Sequence, residues 1–266
     1  MLLTIDGGNT SVALGLFPAD GDVGDPPLGT WRIRSDARMT GDELALLVRG
    51  LIEVPTAAVT GVCALSTVPE LLRAIRSMLP RYFPEAAHVV IAPGVKTGVP
   101  LLVDNPREVG TDRVANAAGA FTIFRSACVV VDFGTSTRVD VVSGRGEFLG
   151  GAIAPGIDIA LDALAARTVA LRRVELAPPR SVVGKNTVEA LQAGVLLGFA
   201  GMVDALVGRV RTELPELADA TVVATGGLDD AVLAECRTVT VRRPDLTLQG
   251  LRAVYQRETA RRPRHR

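Results

Sequence analysis

Two short stretches of this 266-residue sequence carry the same chemical groups in the same order. In the first, Leu2-Leu-Thr-Ile-Asp6 runs into Gly7-Gly8-Asn9-Thr10-Ser11 and then Val12-Ala13-Leu-Gly-Leu-Phe17. In the second, Val129-Val-Val-Asp132 runs into Phe133-Gly134-Thr135-Ser136-Thr137 and then Arg138-Val-Asp-Val-Val142. Each reads as an apolar strand ending on a carboxylate, a tight turn of glycine and hydroxyl residues, and a second strand. Asp6 aligns with Asp132, Gly8 with Gly134, Asn9 with Thr135 and Thr10 with Ser136. Backbone N–H groups in such turns can take phosphate oxygens, and a carboxylate can hold a hard cation such as magnesium. The duplication predicts two similar halves facing one another across a phosphate. Later, the strand Thr221–Ala224 ends in Thr225-Gly226-Gly227, where missing side chains would let an adenosine approach the backbone.

Further reactive groups lie between these stretches. Residues 93–113 are dense in turn formers and polar side chains, the composition of a binding loop. The loop closes on Gly110-Thr111-Asp112-Arg113 ahead of a helix over Val114–Phe124. There Asp112 can accept a proton from an attacking hydroxyl, and Arg113 can bind a carboxylate or phosphate. The competing reading is that Thr111 or Asp112 caps the helix and Arg113 is solvated. Lys185-Asn186-Thr187-Val-Glu189 opens a long apolar helix, which Asn186 or Thr187 can cap. Phosphoryl transfer needs donors around the phosphates, a cation and a base, and this set contains all three. Other chemistries lack their groups: there is no Walker loop, no GxGxxG turn, no HExxH and no GxSxG elbow. Of two histidines, His88 sits in a strand with no ligand set nearby, so a Ser-His-Asp triad is excluded.

The elements that must position these groups follow from the pattern. After the first hairpin, Gly29–Arg34 is a third strand, and Thr40-Gly-Asp-Glu43 has the spacing of a capping box for a helix through Leu51. Strands are expected at Val59–Leu65 and His88–Ala92, with a helix from Pro69 to Leu79 between them. The second half repeats the plan, with strands at Val129–Asp132, Val139–Val142 and Glu147–Ala154 and a helix from Ile157 to Thr168. A buried helix then covers Ala190–Val207, followed by the Thr221 strand, a helix over Asp229–Cys236, a strand at Val239–Arg242 and a helix over Leu248–Gln256. Three strands followed by a helix start a mixed sheet covered by helices. The expected division is residues 1–115 and 116–266.

Composition narrows the partners. Acidic and basic residues balance at 29 each, so no global field draws nucleic acid or membrane. Only the tail Arg261–Arg266 is strongly basic, and a solvated terminus is its plain reading. Cys63, Cys128 and Cys236 are far apart in or beside apolar runs, so buried thiols are expected rather than disulfides or structural zinc. The apolar start is interrupted by Asp6 and has no basic region before it, unlike a signal peptide, and a cytoplasmic protein is expected.

Taken in order, these motifs resemble the type III pantothenate kinases over nearly the whole chain. The likeness runs through Asp6-Gly-Gly-Asn-Thr10, Thr40–Glu43, Ser66-Thr-Val-Pro69, Thr97-Gly98, Asn105–Arg113, Asp132-Phe-Gly-Thr135, Gly150–Gly156, Gly184-Lys-Asn-Thr187 and Ala224–Gly227. The resemblance implies an α/β, duplicated actin-like (ribonuclease H-like) fold: two mixed-sheet domains with a cleft between them. It implies ATP- and Mg²⁺-dependent phosphorylation of the terminal hydroxyl of pantothenate, the first step of coenzyme A biosynthesis, by a homodimer. By resemblance, Asp6, Gly7, Gly8, Asn9, Thr10, Ser11, Val12 and Ala13 contact ATP, with Thr135, Gly226 and Gly227. Asp112 is the proton acceptor, and Val103, Gly110, Thr111, Asp112, Arg113 and Thr187 line the pantothenate site. Asp132 binds a monovalent cation, K⁺ or NH₄⁺.

Three positions depart from the family pattern. Gly7 stands where an apolar residue is usual and is expected to loosen the turn. Val103 replaces a frequent tyrosine. Arg138 puts a long cation where a small hydroxyl residue is usual, free to grip phosphate, point away or block the nucleotide. Arg138 is also the feature that would mark a nucleotide-binding regulator without turnover. A kinase of another small hydroxylated substrate is the remaining alternative, separable by a substrate panel.

Overall fold

The computed structural model describes residues 1–92, 95–167, 174–227 and 230–261. In chain order the first elements are strands β1 (Leu2–Gly7), β2 (Ser11–Phe17) and β3 (Gly29–Arg34), then helix α1 (Gly41–Leu51). Strand β4 (Gly61–Ser66), helix α2 (Pro69–Tyr82), strand β5 (Ala87–Ile91) and helix α3 (Thr111–Phe124) follow. The second series is β6 (Cys128–Phe133), β7 (Ser136–Val142), β8 (Phe148–Pro155), α4 (Ile157–Arg167) and α5 (Thr187–Glu213). It ends with β9 (Thr221–Gly226), α6 (Asp230–Glu235), β10 (Val241–Arg242) and α7 (Leu246–Arg261).

The strands form two five-stranded sheets, ordered β3-β2-β1-β4-β5 and β10-β9-β6-β7-β8. In each, a central strand pairs antiparallel with its successor in the chain and parallel with a later strand. The duplication read from the two turns therefore extends to the whole strand order. Alternation assigns the faces of the first sheet. Leu3, Ile5, Val12, Leu14, Val62 and Ala64 pack with α1 and α2, while Leu2, Phe17, Cys63 and Leu65 pack with α3 and α7. Both faces are covered, which is why these strands are apolar throughout. In the second sheet Val129, Val131, Val139, Val141, Val222 and Ala224 share a core with Leu196, Ala200, Val203 and Val207 of α5.

The two compact units are residues 1–125, 146–148 and 245–266, and residues 126–145 and 149–244. The expected boundary at 115/116 falls inside α3, which is continuous to Phe124. The C-terminal helix α7 also returns to the first unit, where it packs along α3. The physical reason is glycine. A Cβ on Gly250 would run into the backbone carbonyl of Ala115, and one on Gly119 would crowd Gly250 and Leu246. The two helices thus lie nearly backbone to backbone.

Local signals set the helix ends. Thr40 caps α1 with a complete capping box, accepting from Glu43 N at 3.3 Å while Glu43 Oε2 accepts from Thr40 N at 2.8 Å. Pro69 stands at the start of α2. Helix α5, at 27 residues, is long and apolar enough to cross a membrane by length and composition. One stripe of it, with Leu196, Ala200, Val203 and Val207, is buried in the core of the second unit. Cys63, Cys128 and Cys236 are buried free thiols, and burial raises the pKa of each, to about 11 for Cys128 and Cys236. The Arg-rich tail beyond Arg261, and the start of the helix expected from Asp229, lie outside the described residues.

Candidate active site

In the first unit, β1 ends at Asp6 and Gly7, and residues 8–10 turn the chain into β2. The turn closes with Gly8 N donating to Ser11 O at 3.0 Å. It is braced by β3, from which Arg32 donates to Ser11 Oγ, and by the residue after that strand, where Ser35 N donates to Thr10 O. Asn9 and Thr10 are exposed at its tip, and Asp6 is half-buried. Gly7 is not a loosening element of the turn. It is a buried, paired strand residue, and a Cβ there would press on Leu71 and Ser66. Ser66 Oγ donates to Gly7 O at 2.8 Å and accepts from Val68 N at 3.0 Å, so the larger neighbours take the volume that Gly7 leaves. In the sequence Ser66 stands only as the first residue of the Ser66-Thr-Val-Pro69 motif; its role in fixing the phosphate turn emerges from the parallel register of β1 and β4.

Asp112 lies in the first turn of α3, half-buried. The N-cap is Gly110, without a side-chain capping bond, so neither Thr111 nor Asp112 is the cap residue. Gly110 leaves room for the carboxylate: a Cβ there would displace Asp112 Oδ1 from its position. Thr111 is buried, its hydroxyl without a hydrogen-bond partner among the described residues. Arg113 stacks on the Phe148 ring, 5.0 Å from its centroid, which fixes the direction of the guanidinium. Phe148 is itself pinned by the binding loop. Its N donates to Pro100 O at 2.8 Å, and its O accepts from Leu102 N at 2.9 Å. Val103 follows as a half-buried loop residue. The loop is thus tied to the helix that carries Asp112 and Arg113 within one unit.

In the second unit the equivalent turn is one residue shorter, with Gly134 N donating to Ser136 O at 3.1 Å. This shifts the register. Asp6 lies opposite Ala13 on β2 and Leu65 on β4, whereas Asp132 lies opposite Arg138 on β7 and Thr225 on β9. The two carboxylates are therefore in different surroundings: Asp6 has small and apolar flanks, while Asp132 is buried between a cation and a hydroxyl. Arg138 donates to Asp132 Oδ2. Gly226, at φ +93°, leaves the space that Asp132 Oδ1 occupies, and Gly227 N donates to Phe133 O at 2.7 Å. Thr135 is exposed at the turn tip, and Gly156 N donates to Thr135 O at 3.0 Å. The structure brings Asp132, Thr135, Gly226 and Gly227 to one end of the second sheet.

Thr187 is the first residue of α5 and exposed. Asn186 is the cap, accepting from Glu189 N at 2.9 Å, so the structural use falls on Asn186 and leaves the Thr187 hydroxyl outside the cap. Glu189 holds the approach to this turn, accepting from Lys185 N at 3.0 Å and from Arg180 Nε at 3.0 Å. Those two partners keep its carboxyl below the ordinary range.

Comparison with known proteins fits this geometry. The family model for type III pantothenate kinase matches residues 2–209. A type III pantothenate kinase of Rhodococcus jostii (strain RHA1) is 58% identical over 264 residues, covering 98% of this chain and 97% of that protein. Among solved structures, a Campylobacter jejuni protein assigned to the Baf family of transcriptional activators matches with TM-score 0.62 at 14% identity, covering 97% of this chain and 99% of that one. The activator of 2-hydroxyisocaproyl-CoA dehydratase from Clostridium difficile, with bound ADPNP, matches with TM-score 0.55 at 13% identity, over 97% of this chain and 96% of that one. The fold is the duplicated actin-like one.

Proposed function

Since this chain belongs to the type III pantothenate kinase family, we propose that it transfers the terminal phosphoryl group of ATP to the terminal hydroxyl of pantothenate. The product is 4'-phosphopantothenate, and the reaction opens coenzyme A biosynthesis. The observation that carries the assignment is Asp112: a half-buried carboxylate at the head of α3, given room by Gly110 and not the residue that caps the helix. Its carboxylate takes the proton of the pantothenate hydroxyl as that oxygen bonds to the γ-phosphorus and the bond to the β–γ bridging oxygen breaks, leaving ADP. Arg113, held over Phe148, and Thr187 orient the acceptor with Val103, Gly110 and Thr111. Asp6 to Ala13 receive the phosphates, and Thr135, Gly226 and Gly227 the rest of the nucleotide.

Magnesium fits this donor set. Among the described residues no group of three or more His, Cys, Asp or Glu gathers to cage a metal. A single carboxylate, Asp6, beside the phosphate turn is the arrangement for an ion held mainly by nucleotide oxygens and water. When bound, the ion offsets the charge of the phosphates. The monovalent cation that the resemblance assigns to Asp132 does not fit in the same way, because Arg138 already lies on that carboxylate.

A homodimer is proposed from α4 and α5. Between them runs an apolar groove of about 310 Å³, lined by Leu164, Leu191, Gly194, Gly198, Phe199 and Met202 among others. The exposed glycines allow a second helix to approach closely. The low overall charge and the core role of α5 support a cytoplasmic enzyme that needs neither nucleic acid nor membrane.

The deciding experiment measures ADP release with and without pantothenate, with mass spectrometry of the product. Pantothenate-dependent ADP and a phosphorylated product are expected. Nucleotide binding without either would overturn the kinase reading in favour of a nucleotide-binding regulator.

A further inference from the structure

In the second sheet Asp132, Arg138 and Thr225 form one row. Asp132 pairs with Arg138 across the antiparallel β6–β7 ladder and with Thr225 across the parallel β6–β9 ladder, and residues so paired project to the same face. The Asp132 side chain is 9% exposed and that of Arg138 18%. Asp140, two residues beyond Arg138 on the same strand and hence on the same face, is a second acid there, 1% exposed. A carboxylate this deeply buried needs a positive charge against it. Arg138 supplies one.

We propose that the Arg138 guanidinium stands, within the chain, where the family places a monovalent cation, so that nucleotide binding and turnover here do not require potassium or ammonium. The proposal rests on the pantothenate kinase reading only for the step to turnover. Three observations carry it. One oxygen of Asp132 accepts from Arg138, and the other lies in the space that a side chain on Gly226 would fill. A metal cation on this carboxylate would therefore touch a guanidinium that is always charged. Second, the first sheet has the same strand order and the same carboxylate position, yet there the residue opposite is Ala13. Only in the second turn is the residue paired directly with the acid across the hairpin an arginine. Third, Thr225 Oγ1 is buried beside Asp132 with no hydrogen-bond partner among the described residues. Removing the guanidinium would leave a carboxylate and this hydroxyl as oxygen donors, the ligand type that hard cations take.

The test uses the full chain. ADP affinity is measured by calorimetry in Tris, sodium and potassium buffers of equal ionic strength. Phosphopantothenate is quantified directly by chromatography in the same buffers, since coupling enzymes have cation requirements of their own. For the natural sequence the affinity is expected to show no potassium-specific change. For Arg138→Thr it should become potassium-dependent by at least about fivefold, the lower end of ordinary coupling between two ligand sites. A potassium-specific gain in ADP affinity by the natural sequence overturns the proposal, whether or not the variant folds. So does a rubidium anomalous peak at Asp132 in its crystals. Cation-independent ADP binding without phosphopantothenate in any buffer would sink the kinase reading and leave the assignment of Arg138 intact.

Discussion

At the scale of single residues, the chemistry turns on which side chains cap helices or pair across strands. Asn186 is the cap of α5; Thr187 beside it is not the cap. Asp132 is paired with Arg138, and Asp112 lies in the first turn of α3, whose cap residue is Gly110. Asp112→Asn should therefore leave the helix and nucleotide affinity in place while lowering phosphoryl transfer by roughly 10²- to 10⁴-fold, the usual contribution of a general base. Single-turnover phosphopantothenate formation beside ADP calorimetry would check this, and turnover like that of the natural sequence would remove Asp112 from the mechanism. The sequence named the two turn carboxylates, Asp6 and Asp132, from a local pattern, a strand running into Asp-x-Gly. It could not say that they differ, because the difference comes from cross-strand register. One residue less in the second turn places Arg138, rather than a small residue, opposite the acid.

At the scale of elements, the position of Asp112 depends on how α3 seats against α7. The contact is made by Gly119 and Gly250, where backbone approaches backbone. Gly250→Ala inserts a methyl group against the Ala115 carbonyl, and such overpacking costs about 1–3 kcal/mol. In a chain of this size each kcal/mol lowers the melting temperature by about 2–4 °C. Gly208→Ala is the matched control. It is an exposed position on α5 where a Cβ meets nothing within 4 Å, and alanine gains about 1 kcal/mol of helix propensity there. Thermal melts should thus move in opposite directions for the same substitution, and a Gly250→Ala protein as stable as the parent would refute the backbone contact. Most elements were legible because their signals are local: the capping box at Thr40, the proline opening α2, the continuous apolar runs of β1 and β6. The pairing of α3 with α7 was not, since two glycines 131 positions apart carry no periodic mark in either helix.

At the scale of the whole molecule, the chain is not two consecutive halves. The first unit is completed by residues 245–266, so it lacks its last helix until the second unit has been passed. A reading that moves from one end to the other places the boundary at 115/116, ahead of the second turn motif, and misses this return. The same scale decides the assembly. The groove between α4 and α5 is apolar, and Gly194 and Gly198 leave open space above the helix, with no atom within 4 Å of a Cβ at either. Within one copy, Gly198→Arg therefore meets no clash and replaces a poor helix former with a good one. In a dimer built on this groove, the same arginine would be driven into an apolar contact without a partner for its charge. Sedimentation velocity should then show a dimer for the natural sequence and a monomer for the variant, with the thermal melt of the variant still cooperative. Because Thr187 opens the same helix, loss of the dimer should also raise the pantothenate KM more than it lowers the ADP affinity. A variant that remains dimeric, or a natural sequence that sediments as a monomer across micromolar concentrations, would take the interface away from α4 and α5.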